Sequence, residues 1–106
     1  MPTLKQLESA LKDSPEDPIL HFSLGNALRD VGRLEDSARH YGLATRFQPD
    51  YSAAWFELAR VAERLGNLQA AREAYEGAMR ASSDKGDDHL LKAARVRLSR
   101  LERPGG

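Results

Sequence analysis

Shifted against itself by 34 residues, the chain brings its least replaceable positions into coincidence. Leu24 falls on Leu58, Gly25 on Ala59, Gly32 on Gly66, Leu34 on Leu68, Tyr41 on Tyr75, Ala44 on Ala78 and Arg46 on Arg80. A fixed period of this length marks a stacked repeat, in which each unit buries its apolar face only against its neighbours. Each coincidence has a physical reason. Gly25 and Ala59 are small where two helices have to cross closely. Gly32 and Gly66 sit just past a helix end, where the left-handed backbone costs a residue with a Cβ about 1 kcal/mol. Tyr41 and Ala44 lie three apart on one helix face, a large residue beside a small one, which lets antiparallel neighbours interlock.

Between these positions the helix signals dominate. Ala, Leu, Arg and Glu are abundant, β-branched residues are few, and apolar residues recur at three- and four-residue steps. Pro15, Pro18, Gly32, Pro49, Gly66 and Gly86 cut the chain into lengths that single helices fill. The pattern predicts an all-α fold of about six antiparallel helices, at 3–13, 18–31, 34–47, 52–65, 68–81 and 87–102. Leu7, Ala10 and Pro15 precede Tyr41, Ala44 and Pro49 by one period, so the first helix reads as a lone second helix of a repeat. His89, Leu90, Ala93 and Val96 follow Trp55, Phe56, Ala59 and Ala62, so the last helix reads as a lone first helix. It departs from the pattern at Lys92, where Leu24 and Leu58 stood, and at Arg100, where the turn glycines stood. Both suit a capping helix that is charged on its outward face and runs on without a turn.

The expected organisation is a single domain over residues 1–106. It comprises an N-terminal half-repeat helix at 3–13, repeats at 18–51 and 52–85, a capping helix at 87–102, and a frayed closing "PGG". Two whole and two half repeats reach about the minimum for a stable stack, so the chain is expected to be complete as it stands.

Composition narrows the function. With no cysteine, the fold has to rest on its apolar core, without disulfides or thiolate metal sites. Sixteen basic and sixteen acidic residues cancel, which removes any global drive toward nucleic acid or membrane. The balance is uneven: residues 1–50 carry six Lys/Arg against eight Asp/Glu, and residues 51–106 carry ten against eight. The opening "MPTLKQLESALKDSPEDP" lacks an apolar run of signal-peptide length, and no stretch approaches the ~20 apolar residues of a membrane span. A cytoplasmic, reducing setting is expected.

The residues at the 34-residue spacing are similar to the tetratricopeptide repeat, whose signature places Trp, Leu, Gly, Tyr, Ala, Phe/Tyr, Ala and Pro at eight set positions. The segment from Pro18 offers His21, Leu24, Gly25, Leu28, Ser37, Tyr41, Ala44 and Pro49. The segment from Ser52 offers Trp55, Leu58, Ala59, Ala62, Ala71, Tyr75, Ala78 and Ser83. The departures are His21 for the Trp, Leu28 and Ala62 for the first Tyr, Ser37 for an Ala, and Ser83 for the Pro. With the half-repeats counted, the resemblance covers essentially the whole chain, and the layout looks like that of small stand-alone bacterial proteins of this class. It implies a right-handed superhelical solenoid whose first helices line a concave groove, and a scaffold that holds peptide segments of partner proteins.

The resemblance also implies which residues face that groove. In the first repeat they are Ile19, Phe22, Asn26, Arg29 and Asp30; in the second, Ala53, Phe56, Arg60, Glu63 and Arg64; in the last helix, Asp87, Leu90, Ala94, Arg97 and Leu98. Phe22, Phe56 and Leu90 form an apolar stripe at 34-residue steps, with Asn26, Arg60, Arg64 and Arg97 beside it. The expected ligand is a short segment with one or two apolar anchors and some acidic character, since arginine pairs carboxylates through two parallel hydrogen bonds. Aromatics at this position also serve packing alone. Relatives that grip a partner's carboxyl terminus do so with a Lys/Asn clamp. Here Asn26 fits one clamp position, but Phe22 replaces the preceding Lys and Glu57 the next Asn, which argues against that mode.

Nothing points to catalysis or a cofactor. His21, His40 and His89 form no close ligand pair, and His21 and His89 share the repeat position of Trp55, where packing is the plain reading. The "GDD" at 86–88 lacks the spaced oxygen ligands of a calcium loop and reads as a helix cap. Phosphate loops and nucleophile elbows are absent. Two alternatives to the peptide scaffold remain: a self-associating repeat protein, such as a homodimer, and a weak nucleic-acid binder using the basic last helix. Zero net charge and the lack of an aromatic among the last helix's arginines speak against the second.

Overall fold

Four of the six helices start where a side chain satisfies a free N–H group. Thr3 and Gln6 form a reciprocal capping box ahead of α1 (Leu4–Asp13). The Asp17 carboxylate accepts from the backbone N–H groups of Ile19 and Leu20 at 2.9 and 3.3 Å, and Pro18 opens α2 (Pro18–Asp30). Helices α3 (Leu34–Phe47) and α4 (Ser52–Arg64) start without a side-chain cap. Asn67 caps α5 (Leu68–Lys85), and Asp87 caps α6 (Asp88–Glu102), as the reading of "GDD" anticipated. This computed structural model describes residues 2–103, and among them every regular element is a helix. The closing residues 104–106, expected to fray, lie outside the described residues.

Three helix ends share one turn. Gly32, Gly66 and Gly86 have φ of 83°, 78° and 72°, and the residue after each donates its backbone N–H back five positions. Those bonds are Arg33 to Leu28 at 2.9 Å, Asn67 to Ala62 at 2.9 Å and Asp87 to Ser82 at 2.8 Å. A positive φ of this kind is where glycine is at home.

Five helices match the sequence expectation to within a residue at both ends, and one does not. Helix α5 runs to Lys85, a full turn past the expected end at residue 81. The first repeat shows why. Pro49 pushes the residue before it out of helical conformation, so α3 stops at Phe47. Ser83 stands at the equivalent place, keeps its N–H, and lets α5 continue to the next available stop, Gly86.

Successive helices pack against each other along the chain, and α4 also touches α6. The C-terminal core is built mainly of small residues, Ala59, Ala62, Ala71, Ala74, Ala78 and Ala94, around one large side chain, Tyr75. Tyr41 and Tyr75, one period apart, are both fully buried. Close crossing is what lets so many alanines form a core. A Cβ on Gly25 would lie 2.6 Å from the Tyr41 ring, which accounts for the small residue at that place.

Candidate partner-binding face

Helices α2, α4 and α6 form one layer, and two ion pairs stitch it sideways. Arg29 Nη1 lies 3.2 Å from Glu57 Oε1 across α2 and α4, and Arg97 Nη1 lies 3.7 Å from Glu63 Oε2 across α4 and α6. Phe22 and Phe56 stand on this layer, each resting on the buried tyrosine of its own repeat. The ring centroids are 5.6 Å apart for Phe22–Tyr41 and 5.7 Å for Phe56–Tyr75. Tyr51 covers Phe22 further, at 5.0 Å, and the Arg97 guanidinium lies 5.7 Å over the Phe56 ring. Phe22, Phe56 and Leu90 are all half-buried, so the aromatics do pack, and each still presents part of its surface.

The polar groups beside them are mostly engaged within the chain. Tyr41 Oη donates to Asn26 Oδ1 and accepts from Arg29 Nη1 at 3.2 Å. Tyr75 Oη donates to Glu63. Burial pushes the Tyr41 phenol up to about 12, with Arg29 pulling the other way. Burial also raises Tyr75, and its bond to the Glu63 carboxylate adds to the effect. Both hydroxyls therefore stay protonated and act as donors at neutral pH. Arg60 shares Glu57 with Arg29, at 3.3 Å. Arg64 is exposed and has no ion pair among the described residues. Beside Asn26 opens a depression of about 130 Å³, lined by Pro2, Leu7, Ser23, Asn26 and Ala27.

Comparison with known proteins agrees with this architecture. The sequence profile of the tetratricopeptide repeat matches residues 4–46 and, in an overlapping placement, 22–85. The chain belongs to the tetratricopeptide repeat family. It is 31% identical over 100 residues to the TPR repeat-containing protein PA0015 of Pseudomonas aeruginosa, covering 94% of this chain and 95% of that one. Protein BPP2914 of Bordetella parapertussis has a similar solution structure, with a TM-score of 0.77 and 29% identity over 95% of this chain and 88% of that one. PcrH, solved in complex with the chaperone binding region of PopD, shares the fold with a TM-score of 0.87. Its identity is 17%, over 92% of this chain and 74% of that one.

Within the tetratricopeptide frame, the departures from the signature show how they are accommodated. Trp55 and His21 occupy the same repeat position and use equivalent acceptors, one period apart. Trp55 Nε1 donates to the Pro49 carbonyl at 2.8 Å, and His21 Nε2 bonds the Pro15 carbonyl at 2.8 Å. His89, the third residue in that series, is exposed instead, because among the described residues no second helix covers α6. Two expected groove residues of α6 also point elsewhere. Ala94 is fully buried against the α5 core, and Leu98 packs on the same cluster. Ile19, by contrast, is 62% exposed. Periodicity had no means of showing Glu57 as the shared anchor of Arg29 and Arg60, nor the reach of the two tyrosine hydroxyls onto the layer.

His21 and His40 form a buried pair, with their Nδ1 atoms 3.0 Å apart and their rings stacked at 5.3 Å. The tautomers follow from the partners. A carbonyl only accepts, so His21 Nε2 carries the hydrogen, its Nδ1 keeps a lone pair, and His40 Nδ1 must donate. Burial lowers the His40 pKa, as do Arg39 and His21; Asp36 and Glu8 oppose the shift without cancelling it. As pH falls, the unfolded chain therefore takes up this proton first. The stability the neutral ring contributes is complete above about pH 6.5 and is lost as pH drops through that value toward the lowered folded pKa. The thermal midpoint, followed by circular dichroism, is expected to fall between about pH 7 and about pH 5. The fall should be smaller in His40→Gln; a midpoint that is flat or rises toward acid would contradict the assignment.

Proposed function

We propose that this chain is a non-enzymatic interaction module that holds a short, extended segment of a partner protein on the face of α2, α4 and α6. The observation that carries the reading is the stripe of Phe22, Phe56 and Leu90. These side chains recur at 34-residue steps on neighbouring helices and keep part of their surface free, while ion pairs and tyrosine bonds hold the groups between them. A surface already ordered in this way spends little conformational entropy on binding. Three helices about 10 Å apart span about 20 Å, which an extended chain covers in roughly six residues. That PcrH was solved with a segment of PopD supports the idea that this architecture holds partner segments.

Charge bookkeeping refines the ligand. Arg29 and Arg60 are engaged by Glu57, and Arg97 by Glu63, so their pull on an incoming carboxylate is weakened. Arg64 remains for an acidic side chain, and the depression beside Asn26 suits one small apolar side chain. The segment is therefore led by apolar anchors, with one acidic contact and Arg29, Arg60 and Arg97 in a supporting role. A cytoplasmic setting suits such a module.

The test uses two baits in a host lysate, the wild-type chain and Phe56→Ala/Arg64→Glu, matched for helicity. A partner held by the wild type should bind the variant at least about tenfold more weakly once purified. Equal binding by both, or a stable dimer in sedimentation that hides Phe56, would refute the groove reading in favour of self-association.

A further inference from the structure

Helices α2 and α4 each have a side that a following helix covers. On α2 it carries His21, Leu24, Gly25 and Leu28, under α3; on α4 it carries Trp55, Leu58, Ala59 and Ala62, under α5. One period later the same side of α6 carries His89, Lys92, Ala93 and Val96, and among the described residues no helix covers it. His89 and Lys92 are exposed, and Val96 is 52% exposed. Arg100, in place of the turn glycine, continues this side. Two shallow depressions flank Val96, of about 350 Å³ toward His89 and Lys92 and about 510 Å³ toward Ser99 and Arg103.

This side is a small apolar strip framed by cations. Lys92, Arg95, Arg100 and Arg103 make no ion pair among the described residues, whereas Arg97, at the edge of the strip toward α4, is held by Glu63. Among the described residues the carboxylates of α6 itself, Asp88 and Glu102, make no ion pair either. A second copy of α6 would set these cations against their like. The α1 of a second copy, with Lys5 and Lys12 beside Glu8 and Asp13, offers no net charge to meet them. A lipid surface is disfavoured because α6 has no Trp or Phe to enter it. The free cations call for carboxylates, and Ala93 and Val96 call for apolar side chains at helical spacing.

We infer that the free side of α6 is a docking surface for an acidic amphipathic helix of a partner protein, seated on α6 as α3 sits on α2 and α5 on α4. Small and apolar residues of that helix pack on Ala93 and Val96, and its flanking carboxylates pair with Lys92, Arg100 and Arg103. This surface is separate from the face of Phe22, Phe56 and Leu90, and the two can be occupied together.

The probe is a fluorescein-labelled peptide of the length of α5 that keeps Ala71, Ala74, Tyr75 and Ala78 and carries glutamate at the exposed positions; a companion carries lysine instead. Fluorescence anisotropy is read with the wild-type chain, Lys92→Glu/Arg100→Glu, Val96→Glu and Arg64→Glu. All four altered positions are exposed, and circular dichroism is used to check the fold of each variant first. The expected result is saturable binding of the acidic peptide that weakens with salt, falls about tenfold or more in both α6 variants, and is unchanged in Arg64→Glu. The lysine peptide should not bind. Failure of the acidic peptide to bind, equal binding of both peptides, or loss on Arg64→Glu instead of the α6 variants would overturn the proposal. So would tighter binding of a single-stranded oligonucleotide, which assigns the cations to phosphate, or a sedimenting dimer dissolved by Val96→Glu, which assigns the surface to a second copy. Retention of binding in Phe56→Ala/Arg64→Glu keeps this result independent of the groove reading.

Discussion

Tyr75→Ala is expected to lower the unfolding free energy by about 3–5 kcal/mol, much of the ~5–15 kcal/mol that holds a typical domain. The ring is fully buried, and the other fully enclosed residues of its cluster are alanines, which lack the reach to fill the space it leaves. Phe56 loses its edge contact, and Glu63 loses the donor it binds. Tyr75→Phe separates these contributions. It keeps the ring and removes only the hydroxyl, at about 1–3 kcal/mol, the cost of a bond to a charged group. Denaturant titration of the three proteins measures both. A loss below about 1 kcal/mol for Tyr75→Ala would mean that the second repeat is not assembled around this residue.

Gly77→Ala should cost about 1–3 kcal/mol, a large effect for one added methyl group. Its Cβ would lie 2.5 Å from the Trp55 indole, so the ring has to move, and with it the Nε1 bond to Pro49 and the Arg80 guanidinium resting 5.9 Å over the ring. The equivalent positions of the first repeat carry the opposite order of sizes: His21 stands at the position of Trp55, and Leu43 at that of Gly77. The double variant Trp55→His/Gly77→Leu is therefore expected to recover part of the loss that Gly77→Leu causes alone. A thermodynamic cycle reads this as a coupling of about 0.5–3 kcal/mol. Strict additivity would show that the two positions do not share one space.

That pairing also shows where the sequence was legible. A 34-residue shift detects sameness, so it found the turn glycines, the tyrosines and the small crossing residues, and through them six helices and their order. It does not detect compensation. Trp55 sits against Gly77, while the equivalent positions hold His21 and Leu43, and neither residue of the second pair resembles its counterpart. The end of α5 was misread for a related reason: the stop signal is present in one repeat as Pro49 and missing from the other at Ser83. The groove was visible as a stripe of positions, but its charge state was not. Arg29 finds Glu57 across 28 residues through two long side chains, and no local pattern records such a choice.

Those lateral ion pairs bear on how such a chain could grow. Positions 29, 63 and 97 are equivalent, and they read Arg, Glu, Arg. The link from α2 to α4 puts the cation on the earlier helix, whereas the link from α4 to α6 puts it on the later one. The two joints are therefore of opposite polarity, and the units are not interchangeable. A chain lengthened by copying residues 52–85 would set Glu63 against the copy's own Glu57 and Glu63, carboxylate against carboxylate. Neighbour order is written into the side chains, so a duplication must alter a charge before it can stack.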